Sequence, residues 1–222
     1  MTVAVARWTR TQVAERVAES FTAGTVVNLG IGMPTLVADL VPADRAVIFH
    51  SENGVLGIGP SPPPEEADPD LINASKDAIT VLPGASFFHQ ADSFALIRGG
   101  HIDIAVMGAF QVSARGDLAN WSTGDDRIPA VGGAMDLAAG AKSVVAMLTH
   151  TTSDGEPKLV DRCTLPLTGS GVVTRVYTDL MVADVLDGAF IVREMAPGMT
   201  LESLQAVTAA PVRLGLDRDS AL

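Results

Sequence analysis

Along the chain, Val13, Val17 and Phe21 recur every four positions, with Glu15, Arg16 and Glu19 between them. That period predicts an amphipathic helix over residues 9–22, ended by Gly24. The run 25–29 is short, apolar and β-branched, and it reads as a buried strand. Residues 30–34 then form a turn. A short helix follows over 35–40, with Thr35 as its N-cap and Pro42 beyond its end. Residues 47–50 predict a second strand, which runs into the loop signal Ser51-Glu52-Asn53-Gly54. Gly57, Gly59 and Pro60 keep the chain irregular as far as Pro64.

Further strands are expected at 78–82, 102–107, 143–149, 171–178, 189–193 and 210–213. Helices are expected at 93–98, ended by Gly99-Gly100, and at 200–207. Strands and helices alternate, which favours an α/β fold: an open, largely parallel sheet with flanking helices. No repeat, low-complexity tract or long linker divides the chain, so residues 1–222 read as one domain. Residues 124–129 form the most polar interior loop and read as a mobile segment.

Composition adds limits. Hydrophobic residues make up 47% of the 222 and charged residues 18%, enough apolar material for a large core. The net charge of −11 argues against binding to nucleic acid or to an acidic membrane surface. It also means that any anionic ligand must be met by local Lys, Arg or backbone N–H groups, or by a partner's charge. The first ten residues lack a secretory apolar run, and no stretch approaches the ~20 apolar residues of a membrane span, so a cytoplasmic protein is expected.

Three clusters carry candidate chemistry. In His50-Ser51-Glu52-Asn53-Gly54-Val55-Leu56-Gly57-Ile58-Gly59-Pro60, a carboxylate stands at a glycine-rich strand end, where open parallel sheets form ligand crevices. Such a group can be a nucleophile, a base, a metal ligand or a loop cap. In Asn28-Leu29-Gly30-Ile31-Gly32-Met33-Pro34 a dinucleotide-type fingerprint begins but lacks its third glycine. A helix start near Thr35 there could still receive an anion. Gly132-Gly133-Ala134-Met135-Asp136 either aims backbone N–H groups at a ligand oxygen or forms a helix start or tight turn. The four histidines are scattered without metal-ligand spacing. Cys163, the lone cysteine, reads as a packing residue rather than a nucleophile.

Taken together, Ser51-Glu52-Asn53-Gly54 with Gly57-Ile58-Gly59-Pro60 resembles the signature of the family I CoA-transferases, in their B half. Segments 67–74, 82–88, 97–103, 116–121, 132–137 and 163–169 continue the resemblance in the family's order. The likeness is greatest to the 3-oxoacid group, the succinyl-CoA:acetoacetate and 3-oxoadipate transferases. It implies a CoA-transferase fold and a ping-pong transfer of CoA from an acyl-CoA to a 3-oxo acid through a glutamyl-CoA thioester. Glu52 would be the nucleophile, Gly133 would give an oxyanion N–H, and Asn28 and Lys76 would contact CoA. The expected partners are the family's A subunit, in an A2B2 heterotetramer, together with acyl-CoA and small carboxylic acids. No cofactor beyond coenzyme A as substrate is implied.

Two departures stand out: Ala130-Val131 replaces the family's Gly-Met, and Gly124-Asp125-Asp126 is more acidic than usual. The chemistry needs an ionised Glu52, so its pKa is expected to be ordinary or low. Alternative readings are a relative that hydrolyses or ring-opens CoA thioesters, and a noncatalytic sugar-phosphate sensor.

Overall fold

A computed structural model describes residues 6–124 and 130–215. The polar loop expected to be mobile falls mostly on residues 125–129, outside the described residues.

The first helix, α1 (Arg10–Glu19), is fixed by a capping box: Gln12 N–H donates to Thr9 Oγ1 and Thr9 N–H donates to Gln12 Oε1. It ends earlier than expected, with Ser20 rather than Gly24 as its cap. Strands β1 (Val26–Leu29), β2 (Ile48–Ser51), β5 (Ile104–Gly108), β8 (Ser143–Leu148) and β10 (Val173–Thr178) form the parallel heart of a ten-stranded sheet. Their order is β10-β8-β5-β1-β2. One flank continues antiparallel through β3 (Val55–Ile58) and β4 (Val81–Phe87). The other continues through β11 (Met181–Leu186), β12 (Ala189–Met195) and β13 (Val212–Leu214). The intervening β6 (Gln111–Ser113), β7 (Leu118–Ala119) and β9 (Leu159–Val160) form a small separate sheet.

Alternation along the central strands divides the core in two. Ile104, Val106, Val145 and Met147 face α1, where Val13, Val17 and Phe21 pack. Ala105, Met107, Val144 and Ala146 face the other way, toward α2 (Gln90–Arg98) and α3 (Ala134–Gly140). A further helix, α4 (Leu201–Ala206), also contributes to this second layer through Leu204. Both faces of the parallel strands are therefore covered, as such strands require.

Three expectations need correction. The stretch after Glu52 is not irregular: Gly57 and its neighbours form β3, and the glycine is used for close approach. A Cβ there would stand 3.0 Å from the Ala85 Cα of β4. The strand expected at 78–82 starts at Val81 and runs on to Phe87. The helix after β1 is a 3₁₀ segment (Met33–Leu40) capped at Gly32, and Thr35 is not its cap. Thr35 instead turns its hydroxyl back onto the Gly32 carbonyl at 2.8 Å.

Candidate active site

The C-terminal ends of β1, β2, β5 and β8 open into one cleft of about 690 Å³. Glu52 follows the last residue of β2 and lines it, half-buried. The turn that carries it is held from several sides. Gly54 has φ 111° and no room for a side chain, because a Cβ would overlap the Phe88 carbonyl oxygen. Ser51 Oγ accepts from Ala74 N–H at 2.9 Å, and Asn53 Nδ2 donates to the Ile72 carbonyl at 2.7 Å.

Gly133 precedes α3 and lies against Glu52. A Cβ on Gly133 would stand 2.9 Å from Glu52 Oε2 and 2.9 Å from Phe94 Cζ. The glycine's φ of −75° is open to any residue, so it is the space, not the backbone, that excludes a side chain. Residues 81 positions apart in sequence are thus in contact.

Glu52 does not keep the ordinary or low pKa that its chemistry led us to expect. Burial pushes it up first, and the negative charge of Asp136, in the first turn of α3, pushes it further. Asp136 is itself paired with Arg98 Nε at 2.7 Å, but Arg98 is largely exposed and the pair is screened by solvent.

Asn28 is buried and lines the same cleft. Its Nδ2 is 3.3 Å from the His50 backbone carbonyl and 3.0 Å from His50 Nδ1. A carbonyl only accepts, which fixes the amide's orientation and makes Nδ1 an acceptor as well. His50 must then be the Nε2–H tautomer, donating to Ser93 Oγ on α2 at 2.9 Å. Burial holds the pKa of His50 down at about 4, so the ring stays neutral. The Asn28 Oδ1 takes no hydrogen bond among the described residues and is not itself sealed off, so it is available to the cleft.

Lys76 is placed differently. It stands exposed, with φ 68°, on a turn closed by Lys76 N–H to the Asn73 carbonyl at 3.0 Å. It does not line the cleft; Ala74, two residues before it on the same turn, does.

Cys163 lies apart from the cleft. Burial, then Asp117, raises its thiol to about 11, so it carries no thiolate. Among the described residues no His, Cys, Asp or Glu side chains gather as a metal site, and no helix is long and apolar enough to cross a membrane.

Sequence reasoning did not single out Asp136 as a modulator of Glu52, His50 as the group fixing Asn28, or Lys158 at the cleft wall. Each depends on where the fold places it relative to the cleft, and no local motif marks it.

The Coenzyme A transferase family model matches residues 10–206. The B subunit of 3-oxoadipate CoA-transferase from Acinetobacter baylyi is 54% identical over 203 residues, covering 91% of this chain and 94% of that one. The B subunit of succinyl-CoA:3-ketoacid coenzyme A transferase from Helicobacter pylori is 48% identical over 207 residues, covering 93% and 100%. In structure, the acyl-CoA transferase YdiF of Escherichia coli O157:H7 superposes with a TM-score of 0.74 at 19% identity. That match covers 100% of this chain but 46% of YdiF, so the chain spans about half the length of that enzyme. The extent of the family match, the identity to curated relatives and the shared fold agree: the chain belongs to the coenzyme A transferase family.

Proposed function

We propose that this single-domain chain is the B subunit of a 3-oxoacid CoA-transferase, with Glu52 as the nucleophile. The observation that carries the reading is the carboxylate of Glu52 held in the cleft against the backbone of Gly133. Glu52 attacks the acyl-CoA thioester and forms a mixed anhydride, releasing CoA thiolate. The thiolate then attacks the glutamyl carbonyl, the first acid leaves as its carboxylate, and a glutamyl-CoA thioester remains. A second acid reverses both steps and takes the CoA. Coenzyme A is thus a substrate, and the sequence of steps needs no other cofactor.

Each addition creates an oxyanion beside Glu52, where the Gly133 N–H supports it; one such donor contributes about 3–4 kcal/mol. We assign CoA contacts to Asn28 Oδ1 in the cleft and to Lys76 on the exposed turn outside it. The raised pKa of Glu52 suits a nucleophile: a desolvated carboxylate is more basic and hence more reactive, provided the working pH keeps it ionised.

The names of the relatives support succinyl-CoA as donor and a 3-keto acid, 3-oxoadipate among them, as acceptor; acetoacetate is the other acceptor we propose. The relatives' designation as B subunits also supports pairing with an A subunit; the A2B2 assembly and the cytoplasmic location are part of our proposal. A sugar-phosphate sensor has no use for a carboxylate seated in this way, and relatives that hydrolyse or ring-open CoA thioesters often lack the glutamate, so Glu52 counts against both.

The test is to combine the chain with its A subunit, then supply succinyl-CoA, trap with borohydride or hydroxylamine, and map the modified residue. Modification at Glu52, lost in Glu52→Gln, is expected. Trapping elsewhere, or none with any short acyl-CoA, sinks the reading.

A further inference from the structure

The cleft wall carries few charges. Among the described residues that line it, Glu52 is the sole carboxylate, and Arg10 and Lys158 are the cations. Arg10 is exposed, whereas Lys158 is half-buried. Lys158 Nζ donates to Thr149 Oγ1 at 2.8 Å, and Thr149 immediately follows β8 and also lines the cleft. Lys158 has no ion-pair partner among the described residues. The nearby carboxylate of Asp179 is already committed to Arg7 at 2.8 Å and to the His150 N–H at 2.7 Å.

Resting on the transferase reading, we propose that Lys158, held by Thr149, binds a second carboxylate on the acyl group and so selects dicarboxylic over monocarboxylic substrates.

Spacing supports this. Glu52 follows β2 and Thr149 follows β8, and the order β2-β1-β5-β8 separates them by three strand intervals. At ~4.8 Å per interval that is about 14 Å. The glutamate side chain takes up about 4–5 Å of it, leaving roughly 9 Å to the ammonium group. An acid of four to six carbons spans roughly 4–6 Å between its carboxyl carbons, and an N–H···O contact adds about 3 Å. One end of such an acid meets Glu52 while the other meets Lys158.

The electrostatics agree. Burial lowers the pKa of Lys158, the mark of a cation short of compensation. An arriving carboxylate restores what the lysine lost. In a chain of net charge −11, a cation in the cleft stands out when it has no ion pair among the described residues and only the charge of the already committed Asp179 nearby.

The experiment compares Lys158→Met with the parent, each assembled with the A subunit. The substrates are a four-carbon dicarboxylic acyl-CoA and its length-matched monocarboxylic counterpart. In Lys158→Met, kcat/KM for the dicarboxylic substrate should fall about 10–100-fold, and for the monocarboxylic one by less than about threefold. An equal fall for both, as for a lysine that binds CoA itself, overturns the proposal. So does an unchanged ratio, or a parent enzyme that prefers the monocarboxylic substrate. Thr149→Val, which frees the lysine without removing it, should shift the same ratio in the same direction by a smaller factor; no shift there also overturns it. Trapping at Glu52 with both substrates separates the two readings. If the parent traps with neither, the transferase reading falls; if it traps but the ratio does not move, only the role of Lys158 falls.

Discussion

Oε2 of Glu52 lies so close to the α-carbon of Gly133 that a methyl group there would stand 2.9 Å from it. The carboxylate and the backbone beside it are a fitted pair, made by the end of β2 and the start of α3. Gly133→Ala has a permitted backbone, so its effect comes from the methyl group pressing on Glu52 and on the Phe94 ring. Transfer is expected to fall about 10²–10³-fold, the scale of a lost oxyanion donor, while the A subunit still binds. Steady-state kinetics on the assembled complex checks this; activity within about threefold of the parent would show that the pairing has no catalytic role.

The neighbouring charge of Asp136 gives a pH prediction. Asp136 helps raise the pKa of Glu52, and the proposed mechanism needs Glu52 ionised. Activity should therefore decline on the acid side through that raised pKa. Asp136→Asn removes the negative charge, lowers the pKa of Glu52 and moves the acid limb to lower pH. A pH profile of the glutamyl-thioester half-reaction would show it, and a limb that stays put or moves upward contradicts the account.

The same group sets a stability trade-off. A carboxyl whose folded pKa lies above its unfolded value destabilises the fold once it ionises, so stability falls as pH rises through that interval. Above the folded pKa the penalty is complete; below the ordinary value of 4.5 it is absent. Glu52→Gln should thus be inactive yet more stable to urea at neutral pH, with a gain that fades toward pH 4. A variant no more stable than the parent at neutral pH would count against a strained carboxylate.

Two buried histidines act in the opposite direction. His50 and His150 are each held down to about 4 by burial. Their folded pKa values lie below the unfolded one, so the unfolded chain takes up protons first and stability drops as pH falls from about 6.5 to 4. His150 bonds Thr178 and Thr208 at 3.0 and 2.9 Å, far from the Glu52 turn in the chain. Replacing it with Gln should lower stability at neutral pH but make the decline toward acid gentler. Urea denaturation at several pH values tests the slope.

Gly54→Ala should be among the most damaging single changes. It combines φ 111° with overlap onto the Phe88 carbonyl, and a cost of about 2 kcal/mol or more is expected. Thermal unfolding of the assembled complex measures it; a loss below about 0.5 kcal/mol would mean that the turn relaxes freely.

Much of this was legible in the sequence where one period or one run dominates. The central strands declared themselves because both faces are buried and the runs are unbroken, as in Ile104–Gly108 and Ser143–Leu148. β11 did not, because Asp184 interrupts its apolar run. The carboxylate is accommodated by Arg175 and Arg193 from the strands on either side, and no local pattern announces a cross-strand pairing. The turn that joins β11 to β12, Asp187-Gly188, has φ of 51° and 69°, and its Asp-Gly signal was there to be used. β3 was hidden because its glycine looks like a loop residue until Ala85 of the next strand is seen against it. At the site, Glu52 stood out by its motif. The contact with Gly133, the influence of Asp136 and the place of Lys158 depend on segments brought together only by the sheet.

The register of β1 against β2 pairs Asn28 with His50, and their side chains are bonded to each other at that rung. A slip of one residue would turn Asn28 toward the opposite face of the sheet. Enzymatic turnover is therefore a report on assembly accuracy: a population of chains that are compact but misaligned by one rung would be catalytically silent. For refolding trials or redesigned cores, specific activity per folded molecule would detect faults in alignment that secondary-structure content passes over.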